Sequence, residues 1–88
     1  MDTLTRAWRV SPQVALRPEA FGALAYHFQT RRLSFLKSRT LLEVVQGLDR
    51  YESAGDACRA AGVGESQLPS YERALATLAE SGMICERG

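Results

Sequence analysis

Side chains able to do covalent or metal chemistry are scarce in this sequence. His27 is its only histidine, and Cys58 and Cys85 are its only cysteines. A nucleophile needs a base and an orienting group beside it, and a metal centre needs three or four ligands drawn from His, Cys, Asp and Glu. No C-x-x-C or Cys/His spacing meets either requirement. Ala61-Gly62-Val63-Gly64 carries glycines, but it lacks the preceding strand and the lysine of a phosphate-binding loop, so it reads as a helix stop. Cys58, set among Ala57, Ala60 and Ala61, reads as a small buried hydrophobe, and both thiols are expected to be reduced. His27 reads as a structural histidine. No enzyme, metal or cofactor is expected on these grounds.

What the residues do offer is recognition. Residues 1–40 hold seven basic side chains against two acidic ones, a balance of +5, while residues 41–88 hold four against eight, a balance of −4. A split of this size suits an anionic partner for the first half, set against the plainer reading of a solvated surface. Arg31, Arg32 and Lys37 are interleaved with the apolar Leu33, Phe35 and Leu36. Trp8 and Tyr26 are possible ligand contacts, but with seven aromatic residues in the whole chain both are expected in the core.

The elements that must position these residues follow from periodicity. Val14-Ala15-Leu16-Arg17 alternates as a strand that Pro18 should end, since proline cannot donate to a ladder. Phe21 to Phe28 forms a second strand with Leu24, Tyr26 and Phe28 on one face and Ala23, Ala25 and His27 on the other. After the polar break Gln29-Thr30-Arg31-Arg32, a third strand covers Leu33 to Lys37, with Leu33 and Phe35 opposite Ser34 and Leu36. Thr40 and Glu43 have capping-box spacing, and Leu41, Leu42, Val44, Val45 and Leu48 give a helix over roughly residues 39–50. Ser53 and Asp56 cap a short Ala-rich second helix that Gly62 stops. A third helix should begin at Pro69, turn Tyr71, Leu75 and Leu78 inward and end at Gly82, with Met83 and Ile84 folding back on its end.

Three strands followed by three helices make an α+β domain: a three-stranded antiparallel β-sheet followed by a three-helix bundle, winged helix-turn-helix-like, with at least one open sheet edge. At 88 residues the chain makes a single domain, residues 1–88, with 24% charged and 45% hydrophobic side chains as in ordinary globular proteins. No apolar run approaches the ~20 residues that span a bilayer, and the charged N-terminus does not read as a signal peptide, so a cytoplasmic location is expected.

Two binding functions fit this architecture. A winged helix-turn-helix fold suggests DNA, yet residues 69–81 supply Arg73 alone against Glu72 and Glu80, so no nucleic-acid partner is expected. An open edge strand flanked by Arg31, Arg32 and Lys37 would instead accept an acidic extended peptide as a fourth strand. The plainer alternative is an edge strand that is covered, or protected by charge against aggregation.

The strings Pro12 to Glu19, Phe21 to Phe28 and Thr30 to Lys37, with Trp8-Arg9-Val10 upstream, closely resemble the mycofactocin biosynthesis chaperones (MftB), a family of PqqD-like RiPP recognition elements. Gln29 and Leu68 depart from the pattern, where a glycine and an aspartate are expected. The resemblance implies the same three-strand, three-helix order and a non-catalytic carrier of the leader of a ribosomally made precursor peptide. It implies presentation of the precursor's C-terminal Val-Tyr to a radical SAM maturase, which itself holds the iron–sulfur clusters and S-adenosylmethionine. By the same resemblance an acidic leader pairs with the third strand at Arg31, Arg32, Leu33, Ser34, Phe35, Leu36 and Lys37, and Arg73, Ala74 and Thr77 face it from the third helix. A monomer or a weak, domain-swapped dimer is expected, since swapping through the open edge would compete with the peptide.

Overall fold

The computed structural model describes residues 3–87. Five strands and three α-helices follow in the order β1 (Trp8–Val10), β2 (Val14–Glu19), β3 (Gly22–His27), β4 (Leu33–Leu36), α1 (Arg39–Gly47), α2 (Ala54–Ala60), α3 (Leu68–Glu80) and β5 (Ile84–Glu86). The expected antiparallel sheet is present, with strand order β2-β3-β4. β1 and β5 are additional: they pair as a separate antiparallel ribbon in which Trp8 faces Glu86 and Val10 faces Ile84.

The sheet reverses the common distribution of side-chain size. Ala23 and Ala25 of β3, 0% and 1% exposed, form its inner face, and α1 packs against that strand. Small residues there let the helix approach closely, while the bulky Leu24 and Tyr26 point away. Tyr26, expected in the core, is therefore half-buried on the outer face, edge-on to Phe28 at 5.8 Å between ring centres. Trp8 is buried as expected, and its indole N–H donates to the Thr3 carbonyl at 2.9 Å. Leu36, Val44, Leu48, Leu75, Met83 and Ile84 complete the interior.

Several local expectations are corrected. β2 runs through Pro18 to Glu19 instead of stopping before it. Phe28 N–H donates to the Gln13 carbonyl, which sets the phase of the β2–β3 ladder and leaves the nitrogen of Pro18 facing the open side. A missing donor there removes no ladder bond. The cap of α1 is Ser38, whose Oγ accepts from Leu41 N–H at 3.0 Å, two residues before the Thr40 that the spacing suggested. α1 ends at Gly47, and a 3₁₀ turn continues it to Arg50. α3 starts at Leu68, one residue early, because the 3₁₀ turn Glu65–Gln67 leads directly into it and buries Leu68. Ser53 caps α2 as expected, accepting from Asp56 N–H at 3.2 Å. Cys58 is fully buried, and desolvation pushes its thiol up against the smaller opposing pull of Arg59, which keeps it protonated and inert.

Gly22 marks the tightest approach at any described glycine. At φ 151°, a Cβ built there would lie 2.1 Å from the Leu36 carbonyl oxygen and 2.9 Å from the Ser38 backbone. The end of β4 and the start of α1 thus rest directly on the β3 backbone. Gly22→Ala should cost several kcal/mol or abolish folding, since the obstructing atoms are backbone. Gly64→Ala, where a Cβ meets nothing within 4 Å, should shift the midpoint of a urea melt little.

Candidate functional site

β4 is an edge of the sheet, and the β3–β4 turn sets its phase. His27 N–H donates to the Arg32 carbonyl at 3.0 Å. With Tyr26 opposite Leu33 and Ala25 opposite Ser34, the alternation of an antiparallel ladder directs the backbone groups of Ser34 and Leu36 toward β3. Those of Leu33 and Phe35 face outward, where no strand among the described residues pairs with them.

The turn itself is organised by His27. Its side chain is buried, and Nδ1 accepts from the N–H groups of Gln29 and Thr30, both at 3.2 Å. Arg31 N–H returns to the His27 carbonyl at 2.9 Å, and Arg32 N–H donates to Thr30 Oγ1 at 3.3 Å. The histidine is structural, as its residue context suggested. Arg31 adopts φ 63°, a left-handed conformation that a side-chain-bearing residue enters at a cost of ~1–2 kcal/mol.

Beyond the edge lies a groove of about 380 Å³ between β4 and α3. Leu33, Ser34, Phe35 and Lys37 line it from the strand, Ala74, Thr77 and Leu78 from α3, and Leu41 from α1. A smaller hollow of about 190 Å³ shares Lys37, Leu41 and Ala74 with it and reaches Ser70 and Tyr71. The surfaces are mostly apolar, with Lys37 at the rim. Thr77 Oγ1 donates to the Arg73 carbonyl at 3.0 Å, which satisfies its hydroxyl within the helix.

Of the ten residues that sequence and resemblance single out, the structure brings six to this groove: Leu33, Ser34, Phe35, Lys37, Ala74 and Thr77. Leu36 is 0% exposed and packs in the core, as the inward side of a period of two requires, so its side chain is not offered to a ligand. Arg73 is exposed on α3 but outside the lining, and Arg31 and Arg32 sit at the turn beyond the end of the groove. Leu41, Leu78, Ser70 and Tyr71 were not anticipated as lining residues. Leu41 and Leu78 carry the same apolar signal as core positions, and only the three-dimensional gap between β4 and α3 distinguishes them.

The electrostatics are uneven. Arg6 pairs with Glu86 at 3.0 Å, Arg17 with Glu19 at 2.8 Å, and Arg59 with Asp56 and Glu65 at 3.6 and 3.2 Å. Arg87 donates to the backbone carbonyls of Asp49 and Tyr51. Arg31, Arg32 and Lys37, beside the edge, have no ion-pair partner among the described residues, and neither have Arg9, Arg39, Arg50 and Arg73 elsewhere. The described residues hold no cluster of His, Cys, Asp and Glu suited to a metal ion, and no helix long and apolar enough to cross a membrane.

The profile of the peptide chaperone MftB family matches residues 7–85, a span that takes in both walls of the groove. The chain belongs to the peptide chaperone MftB family. It is 56% identical over 82 residues to the peptide chaperone MftB of Mycobacterium tuberculosis, a match covering 93% of this chain and 75% of that one. Against the MftB of Mycobacterium ulcerans it is 56% identical over 79 residues, covering 90% and 72%. Against that of Mycolicibacterium smegmatis it is 53% identical over 78 residues, covering 89% and 76%. No solved structure matches the chain. Membership of the MftB family makes this a non-catalytic chaperone.

The left-handed Arg31 gives a test of how the turn is held. Arg31→Asn, which tolerates this conformation better, should leave stability unchanged or raise it by up to about 1 kcal/mol in a urea melt. A loss of more than about 1 kcal/mol would mean that the arginine side chain itself supports the turn.

Proposed function

We propose that the protein binds the acidic leader of a ribosomally made mycofactocin precursor peptide as an added strand on β4, and holds it for a radical SAM maturase. The observation that carries this reading is the open β4 edge facing an apolar groove, with Arg31, Arg32 and Lys37 unpaired along it. Backbone groups of Leu33 and Phe35 would supply the ladder bonds, the groove would take apolar side chains of the peptide, and the basic residues would supply charge-assisted contacts and faster encounter. The conversion of the peptide belongs to the maturase, and the chaperone contributes position. It works as a monomer or a weak dimer in which any exchange through β4 competes with the peptide.

Titration calorimetry with a synthetic acidic leader, alongside random duplex DNA, is the direct test. Saturable one-to-one binding of the peptide without DNA binding is expected. DNA binding alone would favour the winged helix-turn-helix alternative. Phe35→Pro removes an outward N–H, so it should weaken peptide binding at least tenfold in a chain that still folds. Ser34→Pro instead interrupts the β3–β4 ladder and should lower the melting temperature. Unchanged affinity in folded Phe35→Pro would exclude the added strand.

Reversing Arg31 and Arg32 together to Glu should weaken binding at low salt and flatten its salt dependence. Equal affinity at low ionic strength would remove the basic pair from the site.

A further inference from the structure

On β3 and β4 the outer face of the sheet is apolar and uncovered, and on β2 the ion-paired Arg17 and Glu19 border it, with Arg17 opposite Leu24. Because alanines occupy the inner positions of β3, Leu24 and Tyr26 point outward, beside Phe35 and Leu33 of β4 respectively. Phe21 stands edge-on to Phe35 at 6.1 Å, and Phe28 stands edge-on to Tyr26. Phe21, Phe28, Leu33 and Phe35 are 48%, 52%, 59% and 61% exposed, and they are the exposed large hydrophobic residues of the described chain. All four gather around one sheet face. An antiparallel sheet with a solvated side ordinarily carries polar residues there, and a contiguous apolar patch marks an interaction surface.

The bound peptide cannot cover this face. An added strand lies in the plane of the sheet about 4.8 Å beyond β4, so its outward side chains reach Leu33 and Phe35 but leave Leu24, Tyr26 and Phe28, one strand further in, open. A second copy of the chain is a poor fit on charge. Between Val14 and Lys37 the sequence holds Arg17, Arg31, Arg32 and Lys37 against Glu19 alone, and Glu19 is already taken by Arg17. Two copies packed face to face would set these basic rims against each other. The complementary partner has an apolar patch bordered by acidic side chains.

Resting on the peptide-delivery reading above, we infer that this outer sheet face docks the maturase, through an apolar maturase surface with an acidic border, while the peptide occupies the β4–α3 groove. The two sites meet at Leu33 and Phe35. Peptide bound along β4 widens the same face by its own outward side chains, so the maturase contacts chaperone and peptide on one continuous surface. Peptide occupancy therefore strengthens maturase binding.

The test uses the full chain, the synthetic acidic leader and a purified radical SAM maturase of mycofactocin biosynthesis. Phe21 and Phe28 lie outside the groove lining, so the double variant Phe21→Ser/Phe28→Ser should keep its circular dichroism spectrum and bind the leader within about twofold of the parent. Its affinity for the maturase in biolayer interferometry should fall at least tenfold. Arg17→Glu, which reverses a rim charge without removing apolar contact, should weaken maturase binding several-fold at low salt, and adding leader should tighten binding to the parent protein.

Unchanged maturase affinity in the folded double variant would overturn the inference. So would a parallel loss of leader binding, which would assign the face to the peptide. A parent dimer in sedimentation velocity that the double variant abolishes would assign it to self-association. Failure of the parent to bind the leader would sink the peptide-delivery reading and the tightening by peptide, while the docking face itself is judged separately by the maturase binding of the double variant, which is read without peptide.

Discussion

The close seat of α1 on the alanine face of β3 fixes the geometry of everything around it. Ala23 and Ala25 leave no bulk between strand and helix, and Gly22 brings the backbone at the β4–α1 junction within contact of β3. Leu36, wholly buried, anchors the end of β4, and Ser38 starts α1 two residues later. With strand and helix locked at one end, β4 is held as a free edge while α3 stands off from it, and the space between them is the groove. Larger residues at positions 23 and 25 would displace α1, and with it Leu41 on the groove wall.

The same constraint accounts for what could be read from the sequence. The alternation of β3 and the turn residues after it showed the hairpin, and helical periodicity with Ser53, Pro69 and Gly82 placed the helices to within a few residues. Alternation separates two faces of a strand without saying which one a helix will cover. Tyr26 therefore fell on the wrong side of the expectation, since aromatic residues are more often inside than alanines are outside. β1 and β5 are three residues each and pair across almost the whole chain, so neither carries a local period strong enough to register. The cap of α1 was obscured because Ser38 and Thr40 both precede the apolar stripe, and only the extended backbone of Ser38, whose side chain accepts from Leu41 N–H, decides between them.

The candidate site was legible on its strand side and less so on its helix side. Ladder phase settles which β4 residues present backbone outward, and that phase is visible only once the His27–Arg32 bond is known. On α3, Ala74 and Thr77 reach the groove while Arg73, one residue away, turns to solvent. A helix rotates by about 100° per residue, so a small error of phase is enough to exchange a lining residue for an exposed one. The charge division locates no site by itself: acidic side chains pair with Arg6, Arg17 and Arg59, and among the described residues Arg9, Arg39, Arg50 and Arg73 are left without an ion pair as Arg31, Arg32 and Lys37 are.

The β1–β5 ribbon has a consequence for the order in which the chain acquires its structure. The hairpins of β2, β3 and β4 join residues near in sequence, whereas the ribbon joins Trp8 to Glu86 and must wait for residues 84–86. Closing so long a loop is slow relative to forming a hairpin. During synthesis the β4 edge is consequently complete before α3 exists to wall it, a stage at which an apolar edge is exposed to pairing between nascent chains. Arg31, Arg32 and Lys37 flank that edge, and charge beside an open strand opposes edge-to-edge pairing at that stage.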